Sequence, residues 1–369
     1  MKLVIGPKTT TYKSVFTTLN NMPEDEIEEY LQKVIVNPEL LENHDIFDLA
    51  DKDPLVVHKP SININTIDLQ SIFTGNSATY QGLFLLNQDI KINEHIFEKI
   101  WKQSDVQICC DGAIQRLYNY TKYKLSTDRS LEFIPDYLVG DFDSLNLDIK
   151  DFYLKHGTVV IKQETQMSSD LQKSISIFKL SFLNVLQNTI DPKKDNFGIE
   201  IYDGIHQLDA KHTKDFETLC QKKDFRVIAF SGLGGRVDQC IQNISQLYHS
   251  WLNYDTSLNK QPKMIFVNEV DVVFKVPKDG FYMTWPTAWK VNEKAPVLLN
   301  SGILPVGEPN HLKYTLGYKW DVHDFKLSMI NGFVSSSNRF SCASGCYTDA
   351  EKDVIVNIEM NYENLSQLY

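Results

Sequence analysis

Long apolar runs are missing from this sequence. No stretch approaches the ~20 consecutive apolar residues that a membrane-spanning helix needs, and the opening MKLVIGPKTTTYK has no apolar segment of signal-peptide length. A basic block is missing too. Lys and Arg number 37 against 48 Asp and Glu, for a net charge of −11. A chain of that sign without a basic stripe has no electrostatic footprint for nucleic acid or for an anionic membrane, so neither is an expected partner. An anionic ligand would need a divalent cation to offset the charge locally. Cysteine is sparse: Cys109, Cys110, Cys220, Cys240, Cys342 and Cys346 are all there are. No second Cys or His pair follows Cys342 and Cys346 at ligand spacing, which argues against structural zinc. Cys109 and Cys110 sit in the apolar run VQICC and read as buried thiols. Six reduced thiols suit a cytoplasmic protein.

What is present is the balance of a globular chain, 369 residues with 42% hydrophobic and 23% charged, enough for two ordinary domains. Residues 1–78 show little periodicity beyond an acidic patch, Glu24 to Glu29, and a short helix over Ile27 to Val36. They read as an N-terminal appendage with freedom to move. From residue 79 short apolar runs alternate with helical stretches. GLFLLN, VQICC, DYLVG, TVVIK, FRVIAF and KMIFVN read as strands, with HIFEKIWKQ, IQRLYNYTKY and RVDQCIQNISQLYHSWL as helices. A long helix is expected from Ser169, with Leu171, Ile175, Phe178, Phe182 and Leu186 near the 3.6-residue period. This alternation implies parallel βαβ units with right-handed crossovers. Residues 188–223 are rich in Lys and Asp and read as an insertion in a surface connection. Beyond residue 270 short strands such as VVFKVP, GFYMTW and VIVNIEM are separated by Gly, Pro and Asn, the pattern of an antiparallel sandwich or barrel. The expected fold is a parallel-sheet α/β domain over 79–270 followed by an all-β sandwich domain over 271–369.

Four segments carry candidate chemistry. In DYLVGDFDSL an apolar strand ends at Gly140 and presents Asp141 and Asp143, two hard oxygen ligands that suit Mg²⁺. Taken alone, both read equally as solvated caps. QETQMSSDLQKS opens the long helix: Asp170 falls in its first turn, Lys173 lies three residues on, and Ser168 or Ser169 would serve as an ordinary cap. Capping leaves Gln166 unexplained. FSGLGGRVDQ follows another strand, and Gly232, Gly234 and Gly235 would let the backbone approach a phosphate while Arg236 supplies a charged fork. Asp238 would orient Arg236 or reach the metal region. No G-x-x-x-x-G-K-[ST] loop occurs anywhere in the chain. In CCDGAIQRLY, Asp111 and Gly112 end the second strand and Arg116 lies a turn into the helix; Asp111 singly reads as a helix cap. Four such loops on one edge of a parallel sheet favour a single composite site for a metal and a polyphosphate.

These segments, in this order, resemble the signature blocks of the thiamine pyrophosphokinases, the fungal enzymes most of all. LPVGEPN, GYKWD and SSSNRF resemble that family's C-terminal blocks, and the similarity runs from about Gly82 to the C-terminus, weakest across 188–223. The resemblance implies an ATP- and thiamine-binding homodimer with thiamine at the subunit interface. It implies Mg²⁺ on Asp141, Asp143 and Asp170, which would carry catalysis. It puts Asp111, Gln166, Gly234, Gly235, Arg236 and Asp238 on the nucleotide side, and Ser335, Ser337, Asn338 and Trp320 around thiamine. The implied reaction is attack of the thiamine hydroxyl on the β-phosphorus of ATP with AMP leaving. There are departures. The family's A-D-G-G-A-N-R-L block has Ala113, Ile114 and Gln115 here, and a left-handed backbone at 113 would be costly. Gln239 stands where many relatives carry His, so no catalytic His acts there. A haloacid-dehalogenase-like phosphatase, with Asp141 as nucleophile and Asp143 as acid, is the alternative enzyme; Leu145 and the Gly-Gly-Arg loop fit it poorly. A non-catalytic thiamine or nucleotide sensor is the alternative from another class.

Overall fold

The computed structural model describes Val4–Ile5 and residues 65–143, 145–249, 261–278, 280–291, 296–342 and 344–369. The helix expected over Ile27 to Val36 lies outside these residues, as does the end of the helical stretch expected to reach Leu252. Two strands come first in the chain, β1 (Val4–Ile5) and β2 (Asn65–Asp68). The chain divides into two compact units, residues 71–272 and residues 1–70 with 273–369.

The 71–272 unit is built on a parallel sheet. Its strands are β3 (Thr79–Leu85), β4 (Val106–Cys110), β5 (Tyr137–Gly140), β6 (Val159–Lys162), β7 (Asp224–Phe230) and β8 (Met264–Val267), in the order β8–β7–β3–β4–β5–β6. Each adjacent pair is parallel. Every residue of β7 is buried, which is why FRVIAF carries apolar residues on both faces rather than alternating, with the buried Arg226 among them. The helices are α1 (Gln70–Thr74), α2 (Glu94–Gln103), α3 (Ala113–Asn119), α4 (Leu147–Lys155), α5 (Asp170–Phe182), α6 (Val185–Thr189), α7 (Gly204–Lys211), α8 (Thr213–Cys220) and α9 (Val237–Gln246).

The long helix expected through Leu186 is two helices. Asn184 adopts a left-handed conformation, φ 57°, which ends α5 and puts Leu186 in α6. Residues 188–223 also differ from a bare surface connection. They contain α7 and α8, and Ile205 and Phe216 are buried. Phe216 packs its ring against Phe182 and Phe225, with centroids 5.9 and 5.5 Å apart.

The other unit is mainly antiparallel β. Its strands are β9 (Asp271–Val276), β10 (Phe281–Thr284), β11 (Leu298–Leu304), β12 (Asn310–Leu316), β13 (Asp321–Leu327), β14 (Ser335–Arg339), β15 (Gly345–Ala350) and β16 (Val354–Met360). One sheet runs β1–β13–β12–β15–β10–β2, and β14–β11–β16–β9 are neighbours in the second. The expected appendage 1–78 is corrected here for its last part. β2 pairs in parallel with β10, from Asn65 opposite Phe281 to Asp68 opposite Thr284, and Ile67 and Leu69 are buried. The alternation Ile67-Asp68-Leu69 fits a half-buried strand but is too short to announce one. No helix among the described residues is long and apolar enough to cross a membrane.

Candidate active site

The carboxyl ends of the parallel strands bring the first cluster together. β5 stops at Gly140, where a Cβ would stand 2.7 Å from both Cβ and Oδ1 of Asp111. Glycine is therefore what lets the loops after β4 and β5 touch. Phe142 takes a left-handed φ of 63°, and the Asp143 N–H then donates to Asp141 Oδ1 at 3.3 Å. The Phe142 N–H donates to Asp111 Oδ1 at 3.1 Å. One carboxylate oxygen from each of Asp111, Asp141 and Asp143 lies within 4.8 Å of the other two. Asp111 is 5% exposed, and burial, reinforced by the charges of Asp170 and Asp141, pushes its carboxyl up to about 6. Partial burial pushes Asp141 up as well, but the Gln166 amide, the Asp143 N–H and the Lys173 charge outweigh it and hold the group below its ordinary value. Three clustered hard oxygens, one of them nearly buried, fit a divalent cation of the Mg²⁺ kind.

Asp111 was expected to cap a helix or to face the nucleotide. It does not cap α3, whose N-cap is Gly112 without a side-chain bond. The left-handed residue of this loop is Asp111, φ 47°, so Ala113 sits in the helix unstrained and the cost expected at 113 does not arise.

The loop after β6 supplies the second part. Ser169 caps α5 with a capping box: its Oγ accepts from the Gln172 N–H at 3.3 Å, and Gln172 Oε1 accepts from the Ser169 N–H at 2.9 Å. Gln166 donates from Nε2 to Asp141 Oδ2 at 2.8 Å, so it touches the carboxylate cluster. Asp170 is outside the three converging carboxylates. It pairs with Lys173 Nζ at 3.2 Å, a lysine only 2% exposed. Burial raises the Asp170 carboxyl and the Lys173 charge opposes that rise.

The glycine-rich loop after β7 supplies the third. Gly234 and Gly235 have φ of 131° and 65°, a backbone only glycine adopts readily. Gln88 Nε2 donates to the Gly234 carbonyl, and Cys240 Sγ accepts from the Gly234 N–H at 3.0 Å. Arg236 is largely exposed and forks onto Asp238, with Nε–Oδ1 at 3.1 Å, so Asp238 orients the guanidinium. A cavity of about 660 Å³ opens between this loop, the start of α5 and the end of β3. Arg116 lines it and is held by Asn87 Oδ1 at 3.2 Å and Asp89 Oδ1 at 2.9 Å. Asn87, Gln88, Asp89 and Asn268 escaped the sequence reading. They follow β3 and β8, and the strand-end rule that found the other loops would have found them.

The remaining candidates lie in the other unit. Asn338, 5% exposed, accepts from the Trp320 N–H at 3.1 Å and donates from Nδ2 to the Trp320 carbonyl at 2.9 Å. Its amide is spent on holding the Trp320 backbone. The Trp320 ring is 37% exposed, with Lys319 Nζ 4.6 Å from its centroid. Ser335 is half-buried opposite Ile303, and Ser337 is exposed with φ 57°.

Comparison with known proteins follows the same lines. Residues 97–259 match the family model described as the catalytic domain of thiamin pyrophosphokinase. The thiamine pyrophosphokinase of Saccharomyces cerevisiae is 34% identical over 311 residues, spanning 82% of this chain and 93% of the yeast protein. Thiamine pyrophosphokinase 1 of Arabidopsis thaliana is 22% identical over 71% of this chain and 80% of its own. The crystal structure of the yeast enzyme superposes with a TM-score of 0.76 at 32% identity, covering 86% of this chain and 98% of that one. The Candida albicans enzyme gives 0.69 at 29% identity, covering 85% and 98%.

Proposed function

The chain belongs to the thiamine pyrophosphokinase family, and from that premise we propose that it transfers the pyrophosphoryl group of ATP to the hydroxyl of thiamine, giving thiamine diphosphate and AMP. The observation that carries the reading is the convergence of Asp111, Asp141 and Asp143 at the sheet edge that also bears the Gly234–Gly235 loop and Arg116. Asp141 and Asp143 with Asp111 would hold Mg²⁺, and Asp170 would stand beside them. Bound there, the cation supplies charge neutralisation for phosphate oxygens. The protein's own groups do the rest. Arg116 and Arg236 meet phosphate charge, backbone N–H groups of the glycine loop approach the phosphate chain, and a cluster carboxylate takes the proton of the attacking hydroxyl. Lys173 balances the negative charge at Asp170. On the thiamine side, the exposed Trp320 ring offers a stacking face, Ser335 and Ser337 offer hydroxyls, and Asn338 fixes the Trp320 backbone.

The protein acts as a cytoplasmic homodimer in this reading. Supporting it, Val237 and Ile241 lie one turn apart on α9 and are 74% and 55% exposed, an apolar pair suited to cover by a second subunit. The testing experiment is incubation with ATP, Mg²⁺ and thiamine and identification of both products. Thiamine diphosphate and AMP are expected. Asp141→Asn and Asp143→Asn should each lower turnover by at least about 100-fold without unfolding the protein. Phosphate release with a trapped aspartyl-phosphate would instead identify a phosphatase.

A further inference from the structure

Residues 196–206 of the 188–223 insertion are bonded to β6 and to the site loop that follows it. Asn196 accepts from the Lys162 N–H at 2.7 Å and returns a bond to the Lys162 carbonyl at 3.0 Å. Beyond β6 the Glu164 N–H donates to the Ile201 carbonyl at 2.9 Å and the Thr165 N–H to the Tyr202 carbonyl at 2.8 Å. Gln163, fully buried, donates to the Glu200 carbonyl at 2.8 Å and accepts from the Ile205 N–H at 2.9 Å. The insertion thus covers the open side of β6, the last strand of its sheet.

His206, on α7, completes this attachment. Its Nε2 lies 2.8 Å from Ser168 Oγ and its Nδ1 lies 3.0 Å from Ser176 Oγ on α5. Ser176 Oγ donates to Asp209 Oδ2 at 2.9 Å, and Asp209 pairs with Lys179 at 2.5 Å. That sequence of donors fixes the direction of the chain. Ser176 spends its proton on Asp209, so it accepts from His206 Nδ1–H, and Nε2 is left to accept the Ser168 hydroxyl. Burial keeps the imidazole below its ordinary pKa, consistent with a neutral ring. Ser168 directly precedes the α5 cap, and the same loop carries Gln166, which touches Asp141.

We propose that His206 is a positioning residue for the proposed reaction, through which the insertion holds the Gln163–Ser169 loop and so sets Gln166 and Asp170 against the carboxylate cluster. The inference rests on the functional reading above. A strut of this kind acts by orienting groups that touch the reacting species, and losing one typically lowers activity about 10- to 100-fold.

Two substitutions separate the halves of the strut. His206→Gln places a carboxamide near the Nε2 position and keeps the Ser168 bond. His206→Asn places one near Nδ1 and keeps only the Ser176 bond. The experiment measures hydrogen exchange of the 163–169 amides by mass spectrometry in the full-length protein, together with kcat and KM for thiamine. In His206→Ala and His206→Asn the loop amides should exchange about ten-fold faster, the loss of roughly one net hydrogen bond, while the middle of α5 stays protected. Turnover should fall about 10-fold or more with KM for thiamine unchanged. His206→Gln should restore both. Unchanged loop exchange in His206→Ala, unchanged kcat in the freed loop, or equal behaviour of the Gln and Asn variants would overturn the proposal. A wild type without pyrophosphoryl transfer would fail the functional reading on its own, and the exchange data would still decide whether His206 holds the loop.

Discussion

Gly140 lacks a side chain at the point where two strand-end loops meet. Added there, a methyl group would sit 2.7 Å from Asp111 Cβ and 2.9 Å from its Cα, backbone that cannot give way without moving the cluster. Gly140→Ala should therefore cost about 1–3 kcal/mol of stability from overpacking. It should also lower turnover about 100-fold, since misplacement by about 1 Å is that damaging. Urea unfolding and steady-state rates check this; a wild-type rate would show that the loops have slack. Asp111 carries a second prediction. With its folded-state carboxyl near 6 against an ordinary 3.8, its contribution to stability is present below about 3.8 and is lost as pH rises through about 6. In the presence of chelator, Asp111→Asn should thus be more stable than wild type at pH 7 by about 2–3 kcal/mol, and no more stable at pH 4. Added Mg²⁺ should shrink the gap by binding the wild type. A gap that does not change between pH 4 and pH 7 would contradict the burial argument. At this scale the sequence told which residues ended strands, and Asp141, Asp143 and Gly140 were legible from that alone. The place of Asp111 beside them was not. It depends on two left-handed residues, Asp111 and Phe142, that no pattern of residue types announces.

Among the elements, the parallel strands were readable because β7 and its neighbours are buried on both faces and so carry apolar residues on both. The helices within residues 188–223 were not readable. They are short and polar outside, and their anchors, Ile205 and Phe216, are isolated apolar residues among charges. β2 was missed for a related reason: four residues give little period to detect. Its burial has a consequence. Ile67, Leu69, Ile72 and Phe73 are all nearly inaccessible. At about 1.5–3 kcal/mol for each buried side chain, their loss would remove about 6–12 kcal/mol, comparable to the whole stability of an ordinary domain. Deleting residues 1–78 should therefore abolish soluble, active protein. A soluble truncated enzyme with wild-type turnover would show β2 and α1 to be dispensable.

For the molecule as a whole, the division near residues 71 and 272 puts the carboxylate cluster in one unit and Trp320 with Asn338 in the other. Assembly gives a test at this scale. Ile241→Asp on α9 should convert a dimer into monomers by light scattering at micromolar concentration, because a charge would be forced into an apolar contact. A dimer that survives the change would place its interface elsewhere. The central claim is that the β,γ-phosphoryl unit of ATP moves as one piece, and the direct test is turnover with ATP labelled at the β-phosphorus. The account predicts label in thiamine diphosphate and unlabelled AMP, whereas labelled ADP with thiamine monophosphate would contradict it.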